Sequence, residues 1–341
     1  MSGVFLYIKK DLQIVITLFL PVLYIVIGFA LLIWSADKFV LGASNTARSF
    51  SISPLIVGVV IVGLGTSAPE MLVSAIASLQ GKTDLAIGNA IGSNITNIGL
   101  VIGFVAIIYP MHIHSKLLKR EMPFLLAITV GTICLLWDLR LSFIDGLILV
   151  SLMFTMLAYT VYETKNSSGD TLPQEILDEM PEEISKGEAL KWLVFGAIVL
   201  VASSRLLVLG AVEVAQYYNV SDHVIGLTIV AIGTSLPELA ATLAAARQKQ
   251  FDLAVGNIIG SNIFNLLGVL GVAGLIGPTN FEAIVISQDS LVMFGLTVAL
   301  IVFSIAWGKG KKAIICRLEG AILLLSYLSY MGWLLYKNVL V

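Results

Sequence analysis

The chain has 341 residues, of which 58% are hydrophobic and only 12% are charged. Soluble domains carry about a quarter charged residues, so this composition excludes an ordinary soluble protein and predicts an integral membrane protein. The net charge of -2 gives no sign of nucleic-acid binding, and two distant cysteines, Cys134 and Cys316, do not predict a disulfide or a metal site.

Apolar segments long enough to cross a bilayer recur along the whole chain. The first follows Lys9 and Lys10 as in a signal peptide, but it has no small-residue cleavage pattern and is interpreted as a retained span. Its length and Pro21 predict one tilted or kinked helix rather than two crossings. The predicted fold is all-α, with ten transmembrane helices near residues 15–40, 53–79, 85–110, 122–138, 142–162, 189–213, 222–246, 253–277, 289–307 and 314–336.

The connections between these spans differ in their content of Lys and Arg. The connections on one side of the membrane hold 13 of these residues, whereas the connections on the other side, together with both termini, hold 5. Cytoplasmic connections are enriched in Lys and Arg, so the first set of connections is expected to lie in the cytoplasm and both termini outside. The membrane is expected to be an inner or plasma membrane. The long connection 164–187 is expected to be a solvated acidic loop in the cytoplasm, with a modulatory cation-binding role as the alternative.

A motif in the second predicted span occurs again in the seventh. The segment "GTSAPE" at 65–70 returns as "GTSLPE" at 233–238, at an offset of 168 residues. "DLAIGNAIGSNITN" at 84–97 returns as "DLAVGNIIGSNIFN" at 252–265 with the same offset, and 18 of 33 positions between 65 and 97 are identical. The chain is therefore predicted to be a duplicated unit.

The predicted repeats are 1–163 and 188–341, joined by the acidic loop 164–187. Each repeat contains five spans, and an odd number of crossings leaves the chain on the other side of the membrane. The second repeat must therefore enter from the opposite side, which makes an inverted-topology repeat. Such repeats place substrate sites near the membrane midplane and support alternating access.

Each copy of the motif carries a glutamate inside a span, at Glu70 and Glu238. An ionisable residue there is costly and usually faces a cavity or a partner. Thr66 and Ser67 precede Glu70 by four and three residues, so the three side chains share a helix face. Pro69 has no N–H and frees a carbonyl one turn earlier. Carboxylate, hydroxyl and carbonyl oxygens are ligands for hard cations such as Ca²⁺ and Na⁺.

The next span of each copy also carries polar residues on one face. These polar residues are spaced by four and therefore share a helix face. They are Asn89, Ser93 and Asn97 in the first copy and Asn257, Ser261 and Asn265 in the second. Four helices are thus expected to surround one site. Hydrogen bonding between helices is an equal alternative for Asn89, Asn94, Asn257 and Asn262.

Asp37 and Arg205 occupy equivalent positions of the two repeats, in the first and sixth predicted spans. Their opposite charges suggest the hypothesis that they pair across the pseudo-twofold axis.

Both copies of the elements G-T-S-x-P-E and G-S-N-I-x-N resemble the two alpha-repeats of the cation/calcium exchanger superfamily, which includes sodium/calcium exchangers and proton-coupled cation exchangers. The resemblance covers almost the whole chain and is greatest to compact prokaryotic members. It implies ten helices in two inverted halves, with cation ligands in helices two, three, seven and eight. By motif, these ligands are Thr66, Ser67, Glu70, Ser93, Asn97, Thr234, Ser235, Glu238, Ser261 and Asn265, and the backbone carbonyls near Gly63 and Ala231 are further candidates.

One departure from the family pattern concerns charge. In similar sodium/calcium exchangers, the position matching Asn97 or Asn265 can be Asp, whereas both are Asn here. The two glutamates are neutralised by Ca²⁺, by two Na⁺ or by two protons, but a third Na⁺ would leave net positive charge in a low-dielectric site. Three-sodium coupling is therefore disfavoured. Proton coupling stays open, because buried glutamates can take up protons when the metal leaves.

The predicted function is secondary antiport of Ca²⁺ against Na⁺ by alternating access, with the transported ions as the only small partners and no cofactor. Exchange of a cation such as Ca²⁺ for H⁺ is the alternative within this class, and a cation channel is the alternative from another class. No enzymatic activity is expected, because the sequence shows no constellation of nucleophile and base. A monomer in the lipid bilayer could suffice, since the two repeats supply both halves of the site.

Overall fold

The computed structural model describes residues 2–50, 52, 56–81, 83–113, 118–166, 183–218, 231–283, 285–305 and 313–339. Within these ranges the chain is mainly α-helical, as predicted, with two small two-stranded sheets. The helices are α1 Ser2–Ser49, α2 Val57–Leu79, α3 Thr83–Ile108, α4 Leu118–Leu135, α5 Phe143–Asn166, α6 Lys186–Tyr217, α7 Leu236–Arg247, α8 Phe251–Ile276, α9 Val285–Phe303 and α10 Arg317–Val339. The strands are β1 Met111–Ile113, β2 Arg140–Leu141, β3 Thr279–Asn280 and β4 Ala313–Ile315.

The predicted boundaries differ from these helices at several ends. α1 runs through Pro21 as one helix and continues beyond residue 40, where the prediction ended. A separate helical turn, Ala231–Thr234, precedes α7, and the first part of the predicted span 222–246 lies outside the described residues. Most of the predicted acidic loop, from 167 to 182, also lies outside them.

Eight helices in the described part of the chain are long and apolar enough to cross a membrane. Among them, α3 and α8 are the most enclosed, because 72% and 89% of the residues in their most apolar segments are buried. A helix that is apolar on all sides is stable when other helices surround it. These two helices therefore form the centre of the bundle.

The first and sixth helices pack through reciprocal close contacts. A β carbon added at Gly28 would lie 2.8 Å from the backbone nitrogen of Leu207, and one added at Gly196 would lie 2.8 Å from that of Phe39. Gly28 and Gly196 are 168 residues apart, as are Phe39 and Leu207. Glycine allows the two backbones to approach closely, as in other membrane helix pairs. The same contact is therefore made twice, with the roles of the two repeats exchanged.

The short strands show the same exchange. β1, which follows α3, pairs antiparallel with β4, which precedes α10. β3, which follows α8, pairs antiparallel with β2, which precedes α5. Correspondingly, α10 packs on the C-terminal part of α3, and α5 packs on that of α8. Each half is thus completed by an element of the other half.

The hypothesis that Asp37 pairs with Arg205 is wrong. Asp37 forms its ion pair with Arg247, the last residue of α7, and the side chain of Gln248 donates a hydrogen bond of 3.5 Å to the Asp37 carbonyl. The reason is that α1 packs against α7 as well as α6, which brings the end of α7 to Asp37.

Replacement of Gly196 by Val is expected to loosen the contact between α1 and α6, because the added side chain would overlap the Phe39 backbone. Overpacking of this kind costs about 1–3 kcal/mol. Gly332→Val in α10 is the matched control, since a β carbon there meets nothing within 4 Å. Thermal unfolding of the purified protein in detergent should show a lower midpoint for Gly196→Val alone. Equal midpoints for the two variants would contradict the packing described.

Candidate cation site

Helix α2 carries the first motif on a fully buried face. Glu70 has 1% of its surface exposed, and Thr66 and Ser67 are buried beside it. The Thr66 hydroxyl lies 3.2 Å from Asn257 Oδ1 and 3.1 Å from Ser261 Oγ, both on α8. The first motif therefore faces the second half of the chain.

The second motif has a different backbone, although its sequence is nearly the same. Ser235 interrupts the helix between the turn Ala231–Thr234 and α7, with φ −89° and ψ 6°. Pro237 lies in the first turn of α7. A backbone N–H at this position has no partner within the helix, so proline costs no helical hydrogen bond there. Glu238 follows it and is fully buried, with 0% exposed.

The two glutamates lie close together. Ser67 on α2 donates a hydrogen bond of 3.3 Å to Glu238 Oε1 on α7, and Glu70 is near enough to Glu238 for direct charge repulsion. Among the described residues no Lys or Arg forms an ion pair with either carboxylate. Two buried negative charges of this kind need positive charge from a cation or from protons.

Helices α3 and α8 bring asparagines to the same region. Asn97 Nδ2 donates to Asn262 Oδ1 over 3.1 Å, and Asn265 Nδ2 donates to Asn94 Oδ1 over 3.1 Å. Asn97 and Asn265 each begin a segment of π-helix, Asn97–Ile102 and Asn265–Val269. Such local widening of a helix is frequent at functional sites.

A group of buried oxygen atoms in this region has no hydrogen-bond partner. It comprises six atoms, namely both carboxylate oxygens of Glu70, Oε2 of Glu238, Oγ of Ser235, Oδ1 of Asn97 and Oδ1 of Asn265. Leaving a buried acceptor unpaired is costly, so such atoms require an explanation. All six atoms are oxygens, which are the ligands that hard cations prefer, and two of the contributing side chains are acidic. A bound hard cation would therefore satisfy them.

The described ranges contain no group of three or more His, Cys, Asp and Glu side chains that could hold a metal ion. A cation in this region would therefore rely on Glu70 and Glu238 for charge and on neutral oxygens for the remaining ligands. Gly63 supplies a backbone carbonyl at the edge of the group, 3.3 Å from the Thr66 hydroxyl and 3.4 Å from that of Ser261.

Two predicted ligands differ in their surroundings from their counterparts in the other repeat. Thr234 is half-buried and lines a cavity of about 320 Å³ between α2, α6 and the start of α7, together with Arg205. Ser93 is buried on α3, one helical turn before Asn97. Its counterpart Ser261 contacts Thr66 directly. The region is thus less symmetric than the repeated sequence suggests.

The remaining asparagines link helices. Asn89 Nδ2 donates to Ser74 Oγ over 3.1 Å, and Asn257 Nδ2 donates to Thr242 Oγ1 over 2.9 Å. The two contacts are equivalents in the two repeats, at the offset of 168 residues. Sequence reasoning did not single out Ser74 and Thr242, and the only signal for them is a hydroxyl at matching positions of both copies.

This arrangement defines a helical membrane protein with a buried group of oxygen atoms around two glutamates. Comparison with known proteins gives the family. The sodium/calcium exchanger protein family matches residues 20–162 and 189–336, and the chain belongs to this family.

Several relatives cover nearly the whole chain. The putative antiporter CaxA of Alkalimonas amylolytica is 46% identical over 317 residues, which is 93% of this chain and 98% of that protein. The inner membrane protein YrbG of Escherichia coli strain K12 is 40% identical over 291 residues, 84% of this chain and 89% of that protein. The sodium/calcium exchanger MaX1 of Methanosarcina acetivorans is 29% identical, over 92% of this chain and 98% of that protein.

A solved structure has the same fold. The sodium-calcium exchanger NCX_Mj, soaked with 10 mM Na⁺ and 10 mM Sr²⁺, superposes with a TM-score of 0.79 at 35% sequence identity. The match covers 92% of this chain and 98% of that one. The chain is accordingly an integral membrane protein and a cation antiporter of the sodium/calcium exchanger type.

Thr66→Val is expected to weaken Ca²⁺ binding about 10-fold or more, because it removes a hydroxyl that positions groups on α8. Thr66→Ser keeps the hydroxyl and is expected to retain the affinity. Equilibrium binding of ⁴⁵Ca²⁺ to the purified proteins would distinguish the two variants. Equal affinities would show that the contact of Thr66 with Asn257 and Ser261 plays no part in binding.

Proposed function

We propose that the protein exchanges Ca²⁺ for Na⁺ by alternating access, through one cation site shared by the two halves of the chain. The observation that carries this proposal is the group of six unpartnered buried oxygens, which comes from α2, α3, α8 and the region around the start of α7. Ca²⁺ takes six to eight oxygen ligands, and a set of this size and chemistry suits it.

The proposed ligands have different roles. Glu70 and Glu238 supply the charge that neutralises the ion. Ser235, Asn97 and Asn265 offer neutral oxygens that have no other partner. The other proposed site residues are Thr66, Ser67, Ser93, Thr234 and Ser261, which complete the coordination sphere or hold its members in place.

The proposed membrane arrangement is ten spans in two inverted halves, 1–163 and 188–341, joined by 164–187. The reciprocal contacts of α1 with α6 and of α3 with α8 support it, because a twofold relation between halves with five spans each gives them opposite orientations. The distribution of Lys and Arg favours termini outside and the joining loop in the cytoplasm. One chain supplies both halves of the site, so a monomer is the proposed transport unit.

Two observations bear on which ion is exchanged for Ca²⁺. MaX1 is named a sodium/calcium exchanger, and the matching NCX_Mj structure was soaked with Na⁺, which supports Na⁺ as the counter-ion. The two unpaired carboxylates would also accept two protons when Ca²⁺ leaves, and this supports Ca²⁺/H⁺ exchange as the second candidate.

Uptake of ⁴⁵Ca²⁺ into proteoliposomes separates these candidates. We expect uptake when the vesicles are loaded with Na⁺ and diluted into Na⁺-free buffer, with a protonophore present to remove any pH gradient. Uptake that responds only to an imposed pH gradient would assign the protein to Ca²⁺/H⁺ exchange. Uptake at full rate with neither gradient and no internal cation to exchange would indicate a channel and overturn the proposal.

Glu70→Gln and Glu238→Gln are each expected to reduce Ca²⁺ uptake by about 100-fold or more, because loss of one of two buried charges facing a cation costs roughly 3 kcal/mol or more. Glu213→Gln makes the same chemical change at an exposed position of α6 and serves as the control. Its uptake should match that of the unaltered protein. If both buried variants transport Ca²⁺ normally, the shared site is refuted.

A further inference from the structure

Another cavity lies between α4 and α5, away from the candidate cation site, and we call it the α4–α5 cavity. It has a volume of about 260 Å³. Phe124 and Leu152 belong to its apolar wall, and Glu121 is the only charged side chain among the described residues that line it. The other polar residues of the lining are Thr155, Tyr159 and Thr160.

The α4–α5 cavity lies near one boundary of the membrane. Glu121 is the fourth residue of α4, and Thr160 lies within two turns of the end of α5 at Asn166. Leu152 is 41% exposed and Tyr159 is 55% exposed, so this side of α5 faces the surrounding lipid. The ends of membrane-spanning helices lie at the level of the lipid headgroups. A lipid that enters the cavity therefore places its headgroup beside Glu121.

The two threonine hydroxyls can only accept a hydrogen bond from a ligand. Thr155 Oγ1 donates to the carbonyl of Ser151 over 2.8 Å, and Thr160 Oγ1 donates to that of Met156 over 2.9 Å. A hydroxyl has one proton, so each of these oxygens keeps only its acceptor lone pairs. An ionised carboxylate is likewise an acceptor only. The lining is therefore suited to a cationic group that carries several N–H donors.

The equivalent acidic residue of the second repeat has a partner from the protein itself. Asp289 corresponds to Glu121 at the offset of 168 residues, and the Tyr330 hydroxyl donates a hydrogen bond of 2.8 Å to Asp289 Oδ1. The equivalent of Tyr330 is Tyr162, which is 65% exposed. The first half thus has a cavity beside its acidic residue, where the second half has a tyrosine hydroxyl.

We propose that the α4–α5 cavity binds the headgroup of an ethanolamine phospholipid from the surrounding leaflet. The primary ammonium donates hydrogen bonds to the Glu121 carboxylate and to the threonine hydroxyls, and the first carbons of the acyl chains lie against Phe124 and Leu152. A carboxylate accepts several hydrogen bonds, so this contact adds to those that Glu121 makes within the protein. A choline headgroup has no N–H donor and is bound less tightly.

Native mass spectrometry of the purified protein, titrated with dioleoyl phospholipids that differ only in the headgroup, tests this preference. We expect the first phosphatidylethanolamine to bind about 10-fold more tightly than phosphatidylcholine, the difference that a hydrogen bond to a charged group gives. Lys119 and Arg120 precede Glu121 in the sequence and would favour an anionic lipid. Tighter binding of phosphatidylglycerol would therefore overturn the proposal.

The source of the amine is tested by competition with O-phosphoethanolamine, which is the same headgroup without acyl chains. It should not displace the bound phosphatidylethanolamine, because it makes no contact with the apolar wall of the α4–α5 cavity. Displacement would assign the cavity to a soluble amine. A dimer that carries no lipid would show that a second copy of the chain covers this surface, and either result would overturn the proposal.

Glu121→Gln keeps the size of the side chain but removes its charge, and it is expected to abolish the preference for phosphatidylethanolamine over phosphatidylcholine. Thr155→Val removes one acceptor hydroxyl and should reduce the preference about 3-fold, the effect of one neutral hydrogen bond. Glu188→Gln is the matched control, because Glu188 is exposed in the first turn of α6, on the same side of the membrane in the proposed arrangement. It should keep the full preference. An undiminished preference in Glu121→Gln would refute the site.

Discussion

The burial of two carboxylates side by side in an apolar helix bundle is the constraint on which this molecule depends. Glu70 and Glu238 are removed from solvent, and the described part of the chain provides no basic side chain to pair with either. Burying one ion costs several kcal/mol even after the protein relaxes, so neither carboxylate is tolerable without positive charge. In the proposed function, this requirement is met by a bound cation or by protons, and release of one ion is therefore coupled to binding of another ion or of protons. This is the physical basis of exchange rather than leak.

The proposed site combines groups from the two interlocking halves of the chain. Ser67 of the first half reaches Glu238 of the second, and Thr66 reaches Ser261. The same exchange occurs at the glycine contacts of α1 with α6 and in the strand pairs. Neither half could assemble the oxygen group by itself. A small relative movement of the helices would therefore alter all contacts to the ion together, which suits a transporter that must release its cargo to either side.

The sequence alone predicted the helical membrane fold and the segments that meet at the site, because apolar length and an ungapped repeat are properties of the chain itself. It did not predict that the helix breaks at Ser235 while its counterpart Ser67 stays within a continuous helix. Both copies carry the same motif, so this difference arises from packing around them. The partner of Asp37 was also unpredictable, because it depends on where α1 crosses α7. Hydrogen-bond connectivity among asparagines depends likewise on how α3 crosses α8.

The most direct measurement is a crystal structure with Sr²⁺ or Ca²⁺ in which anomalous scattering locates the ion. The arrangement of unpartnered oxygens predicts one peak within coordination distance of carboxylate oxygens from both Glu70 and Glu238, with Asn97 and Asn265 offering their Oδ1 atoms to the same region. A peak held by only one of the two glutamates, or located away from both, would contradict a single cation site shared by the two halves.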